Sequence, residues 1–181
     1  MTHAEEWLDL VDEHDQVVGR VERAEAWARG LPVRVVNAFI VNARGELWIP
    51  RRTLTKRMFP GGLDMSMGGH VGAGETYEAA FRREVHEELN LDVDTVPWRE
   101  IAAFSPFRTG PGEQPLSAFM RVYELRSDVA PAYNPADFSG AEWLRPEQVL
   151  ARVAGGEPSK GDLAELVRRC AAQWYRGAYA D

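Results

Sequence analysis

Between Gly69 and Leu91 the chain reads GHVGAGETYEAAFRREVHEELNL. This stretch constrains the fold more than any other part of the sequence. Phe81, Val85 and Leu89 recur at four-residue spacing, which predicts a helix from about Tyr77 to Leu89 with that stripe buried. Thr76 suits its N-cap, Glu78 suits the first turn, and Asn90 suits a left-handed stop. Glu84 and Glu88 each precede a stripe residue by one position, about 100° round the helix, so they fall one turn apart at the edge of the buried face. Glu87 lies beside them. Like charges at this spacing oppose a helix by roughly 0.2–0.5 kcal/mol per pair, so a positive partner is expected against them. A hard divalent cation such as Mg²⁺ fits, because it accepts carboxylate oxygens and keeps water or phosphate oxygens in its other positions. The competing reading is a solvated acidic face.

The spacing of Gly69, Glu75, Arg83, Glu84, Glu87 and Glu88, with the aliphatic Leu91 after them, resembles the Nudix box over residues 69–91. One position departs: Asn90 stands where the family usually has Gly, and Asn is the next-best occupant of a left-handed helix end. The resemblance implies an α+β fold, an α/β/α sandwich around a mixed β-sheet, in a single domain over residues 1–181. Residues 1–30 read as an N-terminal hairpin extension. The resemblance also implies a Mg²⁺-dependent hydrolase, with Mn²⁺ as a possible substitute. Glu84, Glu87 and Glu88 would be metal ligands, with the backbone carbonyl of Gly69. Glu84 or Glu88 could instead orient or deprotonate the attacking water. Arg83 and Glu75 would form the box's internal pair, tying loop to helix. Glu113, from the loop RTGPGEQP, would add a further metal-binding carboxylate, and Glu142 is another candidate; both also read as surface residues.

Elsewhere, two apolar runs flank Asp12–Asp15 within WLDLVDEHDQVVGRVER, which predicts a hairpin over Trp7–Arg23. Ala24–Arg29 is read as a short helix ending at Gly30. Val33–Val41 and Glu46–Arg51 are strands around the turn Asn42–Gly45. Leu63–Met67 is a short extended piece leading into a Gly-rich turn. Strands are predicted over Trp98–Phe107, Leu116–Leu125 and Gly140–Leu144, a helix from Pro146, and a terminal helix over Gly161–Tyr175. Arg51 and Arg52, with Lys56 and Arg57 after them, are candidate grips for a substrate phosphate, because guanidinium groups match phosphate oxygens in pairs. Arg51 ranks first because it closes its strand at the mouth of the expected cleft. His70 and His86 lack partners at metal-binding spacing. Any of the six tryptophans could stack on a base, and nothing in the sequence selects one.

The net charge of −7 argues against a bulk nucleic-acid binder, which needs dense Lys and Arg along the phosphate backbone. A small phosphorylated substrate held by a metal is compatible with it. Cys170 is the lone cysteine, so no internal disulfide can form and a reducing compartment fits. The N-terminus has no apolar signal core, and no apolar run approaches the ~18 residues of a spanning helix. These features point to a cytoplasmic protein without membrane contact. An exposed apolar hairpin could pair two subunits into a homodimer.

The leading function is therefore cleavage of the diphosphate linkage in a nucleoside di- or triphosphate, or a related nucleotide, by water attack at phosphorus. Two other readings compete. NAFIVNARGELWIPRR and MFPGGLDMSMGGHVGAGE resemble isopentenyl diphosphate isomerase, a branch of the same superfamily. That enzyme needs a catalytic Cys ahead of the Gly-His pair, where this chain has Gly68, and upstream metal-binding histidines, which residues 15–69 lack. The third reading is a non-catalytic module that senses nucleotides, although such modules typically lose the acidic box residues that this chain retains.

Overall fold

A computed structural model describes residues 6–177; residues 1–5, the start of the expected extension, and residues 178–181 lie outside the described residues. The apolar runs at the N-terminus form the antiparallel strands β1 (Trp7–Val11) and β2 (Val17–Glu22). A short helix α1 (Arg23–Arg29) follows and stops at Gly30, whose φ of 60° puts it in the left-handed region. Leu8, Val21 and Ala26 bury their side chains against Val33, which anchors the extension on the main body.

The main sheet has six strands. Its order is β6-β7-β3-β4-β8, with β5 paired to β3 off that path. The strands are β3 (Arg34–Val41), β4 (Leu47–Arg52), β5 (Met67–His70), β6 (Trp98–Phe104), β7 (Phe119–Arg126) and β8 (Phe138–Leu144). β3 and β7 run parallel, and the remaining pairs are antiparallel, so the sheet is mixed. β3 is apolar on both faces because both are covered. Val36, Ala38 and Ile40 meet helix α2 (Tyr77–Leu89). Phe39 and Val41 belong to a second core with α3 (Pro146–Ala154) and α4 (Leu163–Gly177), which contributes Leu166, Val167, Cys170 and Trp174. Helices on both faces make the α/β/α sandwich expected from the sequence.

α2 follows its sequence signals residue by residue. The Ala79 amide donates to the Thr76 hydroxyl at 3.1 Å. Asn90 adopts φ 49° and its amide donates to the His86 carbonyl, so Asn performs the terminating role that Gly more often takes. Phe81, Val85 and Leu89 are fully buried, and the Phe81 ring stacks on Tyr123 with centroids 4.1 Å apart. One expectation changes. Gly68 and Gly69 are not in a turn; they are the middle of β5, pairing with Asn37 and Val36 of β3. Glycines usually weaken a strand, and here they serve close approach by neighbouring groups. No helix among the described residues is long and apolar enough to cross a membrane.

Phe81→Ala is expected to lower unfolding free energy by about 3–5 kcal/mol, since it removes a stacked, fully buried ring. Thr76→Ala should lower it by only about 1 kcal/mol, the usual loss of an N-cap. Urea unfolding of both variants checks the order; a Thr76→Ala loss equal to that of Phe81→Ala would refute this ranking.

Candidate active site

Among the described residues β5 pairs with β3, and α2 lies against it. The Gly68 amide there donates to Glu88 Oε2 at 3.2 Å. The Glu84 carboxyl group packs onto Gly69 so closely that a Cβ at residue 69 would stand 2.1 Å from Glu84 Cδ and Oε1. The glycines are thus required by the carboxylates. Both carboxylates line a cavity of about 430 Å³, shared with the face of β3 that carries Val35 and Asn37.

Enclosure shapes their acidity. Burial, reinforced by Asp64 and Glu84 nearby, pushes Glu88 up to about 8, against the opposing pull of the Lys160 ammonium and the Gly68 amide. Burial also raises Glu84, against the counter-effect of Arg83. Two desolvated carboxylates one turn apart are electrostatically unsatisfied, and this is the condition under which a hard cation binds.

Arg83 is the organising cation of the region. Its Nε and Nη2 donate to the two oxygens of Glu75 at 3.0 and 2.9 Å, and Nη2 also reaches the His70 carbonyl at 3.1 Å. Its Nη1 donates to Glu84 at 2.7 Å and to Glu87 at 3.4 Å. Glu75 Oε2 in turn accepts from the Gly72 amide at 2.9 Å. Burial pushes the Glu75 carboxyl up, but the Arg83 fork and the Gly72 amide hold it below the usual range. One side chain therefore ties the glycine loop, strand β5 and helix α2 together.

Three acceptor groups suit a divalent metal: the Glu84 and Glu88 carboxylates and the backbone beside them at Gly69. Among the described residues, no three His, Cys, Asp or Glu side chains are gathered as a ready-made metal cage. Glu87 is mostly exposed and turned to Arg83. Joining Glu84 and Glu88 around an ion needs it to swing on a solvent-facing stem, which α2 leaves free.

The other candidate residues are scattered. Arg51 turns away from the cavity and donates to the Gly61 carbonyl at 2.9 Å and to Glu157 at 2.5 Å. Arg52 does line the cavity, bound to buried Asp64 at 2.5 Å. Lys56 also lines it, paired with Asp137, while Arg57 is exposed. Glu113 stands apart from the box: it lines a different cavity, accepts from the Gly110 amide at 2.8 Å and faces Arg169 at 3.3 Å. Glu142 is occupied by a two-pronged contact with Arg152 at 2.8 Å on each oxygen. His86 is exposed on α2.

The cavity and its surroundings also hold residues that the sequence did not single out. Asp64 is 3% exposed behind the lining, against Arg52 and 3.5 Å from Lys160 Nζ. Asn37 is fully buried, its amide nitrogen donates to Met120 Sδ at 3.5 Å, and its Oδ1 has no hydrogen-bond partner among the described residues. An uncharged polar residue in the middle of VRVVNAFIV was the available signal for it. Lys160 offered none, because it precedes α4 and reaches the site only through folding. At Gly68, a Cβ would stand 2.7 Å from Lys160 Nζ and 2.8 Å from Asn37 Oδ1. His70 is on the same wall, where its Nε2 accepts from Trp27 Nε1 at 3.2 Å. Burial first, then the Arg23 and Lys160 cations, hold that imidazole down to about 3, so it stays neutral and able to accept.

Comparison with known proteins agrees with this geometry. The NUDIX domain model matches residues 31–166. A Nudix hydrolase of Deinococcus radiodurans is 59% identical over 167 residues, covering 92% of this chain and 95% of that protein. An uncharacterized Nudix hydrolase of a Nostoc strain is 49% identical over 164 residues, covering 90% and 94%. A crystal structure from Deinococcus radiodurans, 58% identical, superposes with a TM-score of 0.85 over 91% of this chain and 99% of that one.

Arg83→Ala is expected to lower stability by about 1–3 kcal/mol, because Glu75 and the His70 carbonyl lose their donors. Arg83→Lys should recover little, since one ammonium cannot reproduce the fork. Thermal and urea unfolding measure both, and a Lys variant as stable as the parent would contradict the clamp.

Proposed function

The chain belongs to the Nudix family and is a hydrolase, and from that premise we propose that it cleaves the diphosphate linkage of a nucleoside di- or triphosphate, or a related nucleotide, with Mg²⁺ as the metal and Mn²⁺ as a substitute. The family as a whole works with divalent metal ions. The observation that carries the reading is the pair of desolvated carboxylates, Glu84 and Glu88, pressed on the glycines of β5.

Glu84, Glu88 and the Gly69 carbonyl would hold the metal, with Glu87 swinging in from the surface. When bound, such an ion neutralises phosphate oxygens that would otherwise repel an attacking water. The chain's own residues supply the rest. Whichever of Glu84 and Glu88 keeps an oxygen clear of the metal accepts the proton from that water as its oxygen adds to phosphorus. The bridging P–O bond then breaks and its electron pair leaves with the departing phosphate. Arg83 keeps both carboxylates in register by fixing α2 to the loop. Arg52 and Lys56 place positive charge on the cavity wall, where phosphate oxygens would lie. Arg51 is better read as a structural link to Glu157 and the Gly61 carbonyl.

The isomerase reading loses support at Gly68. A side chain there would have to displace Lys160 Nζ and Asn37 Oδ1, both within 3 Å of its Cβ, so the site is built around a missing side chain rather than a thiol. The lone Cys170 is on the buried side of α4, and burial pushes its thiol up to about 12.

Glu84→Gln and Glu88→Gln are each expected to reduce phosphate release by about a hundredfold or more while leaving unfolding cooperative, as loss of a general base or metal-binding oxygen does. The assay is phosphate release from a nucleotide panel with Mg²⁺ or Mn²⁺; folded Gln variants with parental turnover would remove the mechanism. In parallel, isopentenyl diphosphate should give no dimethylallyl diphosphate, and appreciable product would reverse the choice between hydrolase and isomerase.

A further inference from the structure

The cavity lining holds two chemically different sets of groups. One set is Glu84, Glu88 and the cations Arg52 and Lys160. The other is apolar and remains open to solvent: Trp27 at 50% exposure, Met58 at 42% and Phe59 at 37%. Exposed large apolar side chains grouped on a cavity mark a binding surface more often than isolated ones do.

Six indoles compete for a ligand-facing role, and burial separates them. Trp48 and Trp174 are within the two cores, and Trp98 packs on Phe81 and Tyr123. Trp143 packs against the core beneath α2, and Trp7 is exposed away from the cavity. Trp27 alone lines the cavity. Its polar edge is already satisfied, because Nε1 donates to His70 Nε2 at 3.2 Å. That bond fixes the orientation of the ring while half of its surface stays uncovered. His70 immediately follows Gly69, the residue on which Glu84 rests. Consecutive residues of β5 point to opposite faces, so His70 and the indole border the cavity from the face of β5 opposite to the one Glu84 covers.

We infer that Trp27, carried by the N-terminal extension, is the platform on which the planar base of the substrate stacks while its phosphates lie toward Glu84 and Glu88. The inference rests on the hydrolase reading and names the part of the substrate that reading leaves open. An aromatic plane offers its face to any base, so Trp27 selects for the presence of a base more than for its identity. His70 is a positioning residue that holds the indole edge. Met58 and Phe59 add apolar surface elsewhere on the lining, where Arg52 Nε donates to the Met58 carbonyl at 3.0 Å. Because α1 delivers Trp27, the extension completes the substrate site as well as packing on the domain.

The test compares the parent protein with Trp27→Ala and Trp27→Phe. Steady-state kinetics are measured on a nucleoside diphosphate, with inorganic pyrophosphate as a base-free inhibitor. Trp27→Ala should raise KM about tenfold to a hundredfold, the usual value of one base–aromatic stack, with kcat little changed. It should leave the inhibition constant of pyrophosphate unaltered. Trp27→Phe, which keeps a ring, should recover most of the loss. Independently of turnover, adenosine monophosphate has no anhydride to cleave; it should quench the tryptophan fluorescence of the parent and not of Trp27→Ala. A Trp27→Ala variant with parental KM, or one in which pyrophosphate weakens in parallel, would overturn the inference. Failure of the parent to cleave any nucleotide would sink the hydrolase reading instead, and the quenching experiment would still decide whether Trp27 stacks on the base.

Discussion

The contact between Glu84 and the bare backbone of Gly69 is the constraint around which this molecule is arranged. A carboxylate forced that close to a strand loses water on one side, and Glu88, bound to the Gly68 amide, loses it on another. Removing two like charges from water is unfavourable unless opposite charge or hydrogen bonds compensate. Arg83 compensates in part, by holding Glu84 and the glycine loop with a single guanidinium group. Lys160 compensates from the other side, through its proximity to Glu88 and Asp64. What is left over is acceptor capacity, and it faces a cavity. The fold around this point is rigid: α2 is locked by the Phe81–Tyr123 stack and by four buried residues against the sheet.

That rigidity assigns different tasks to the two faces of β3. Its Val36, Ala38 and Ile40 face holds the helix that carries the carboxylates. Its opposite face contributes Val35 and the unpartnered Asn37 oxygen to the cavity wall. β5 has to pass between these environments, and two adjacent glycines are how it does so. At residue 69 the space is taken by Glu84, and at residue 68 by Lys160 and Asn37. Gly68, which read from the sequence as a missing cysteine, is occupied ground in the folded chain. The N-terminal extension closes the remaining side, since α1 brings Trp27 against His70.

Much of the fold was legible in the chain because the relevant forces are local. α2 runs from Tyr77 to Leu89 as its apolar period and its caps indicated, and the hairpin, β3, β4 and the Gly30 stop follow from alternation and turn chemistry. Boundaries slipped where pairing partners decide them: β6 ends at Phe104 and β7 begins at Phe119, inside the runs that the sequence suggested. The site was legible only in part. Glu75, Arg83, Glu84 and Glu88 converge because helix and loop geometry bring nearby residues together. Arg51 is next to Arg52 in sequence, yet alternation along β4 points the two to different partners, one to Glu157 and one to Asp64. Glu113 follows its own loop to Arg169.

The sequence by itself determined the carboxylate-bearing helix, its stops and the order of elements around it, because periodicity and capping act over a few residues. Only the tertiary structure decided which distant groups share the cavity. Lys160 and Asn37 meet at Gly68, Asp64 stands 3.5 Å from Lys160, and one tryptophan of six reaches the wall, because sheet pairing and helix docking join segments far apart in the chain. Proximity of that kind depends on where packed surfaces come to rest, and no local propensity encodes it.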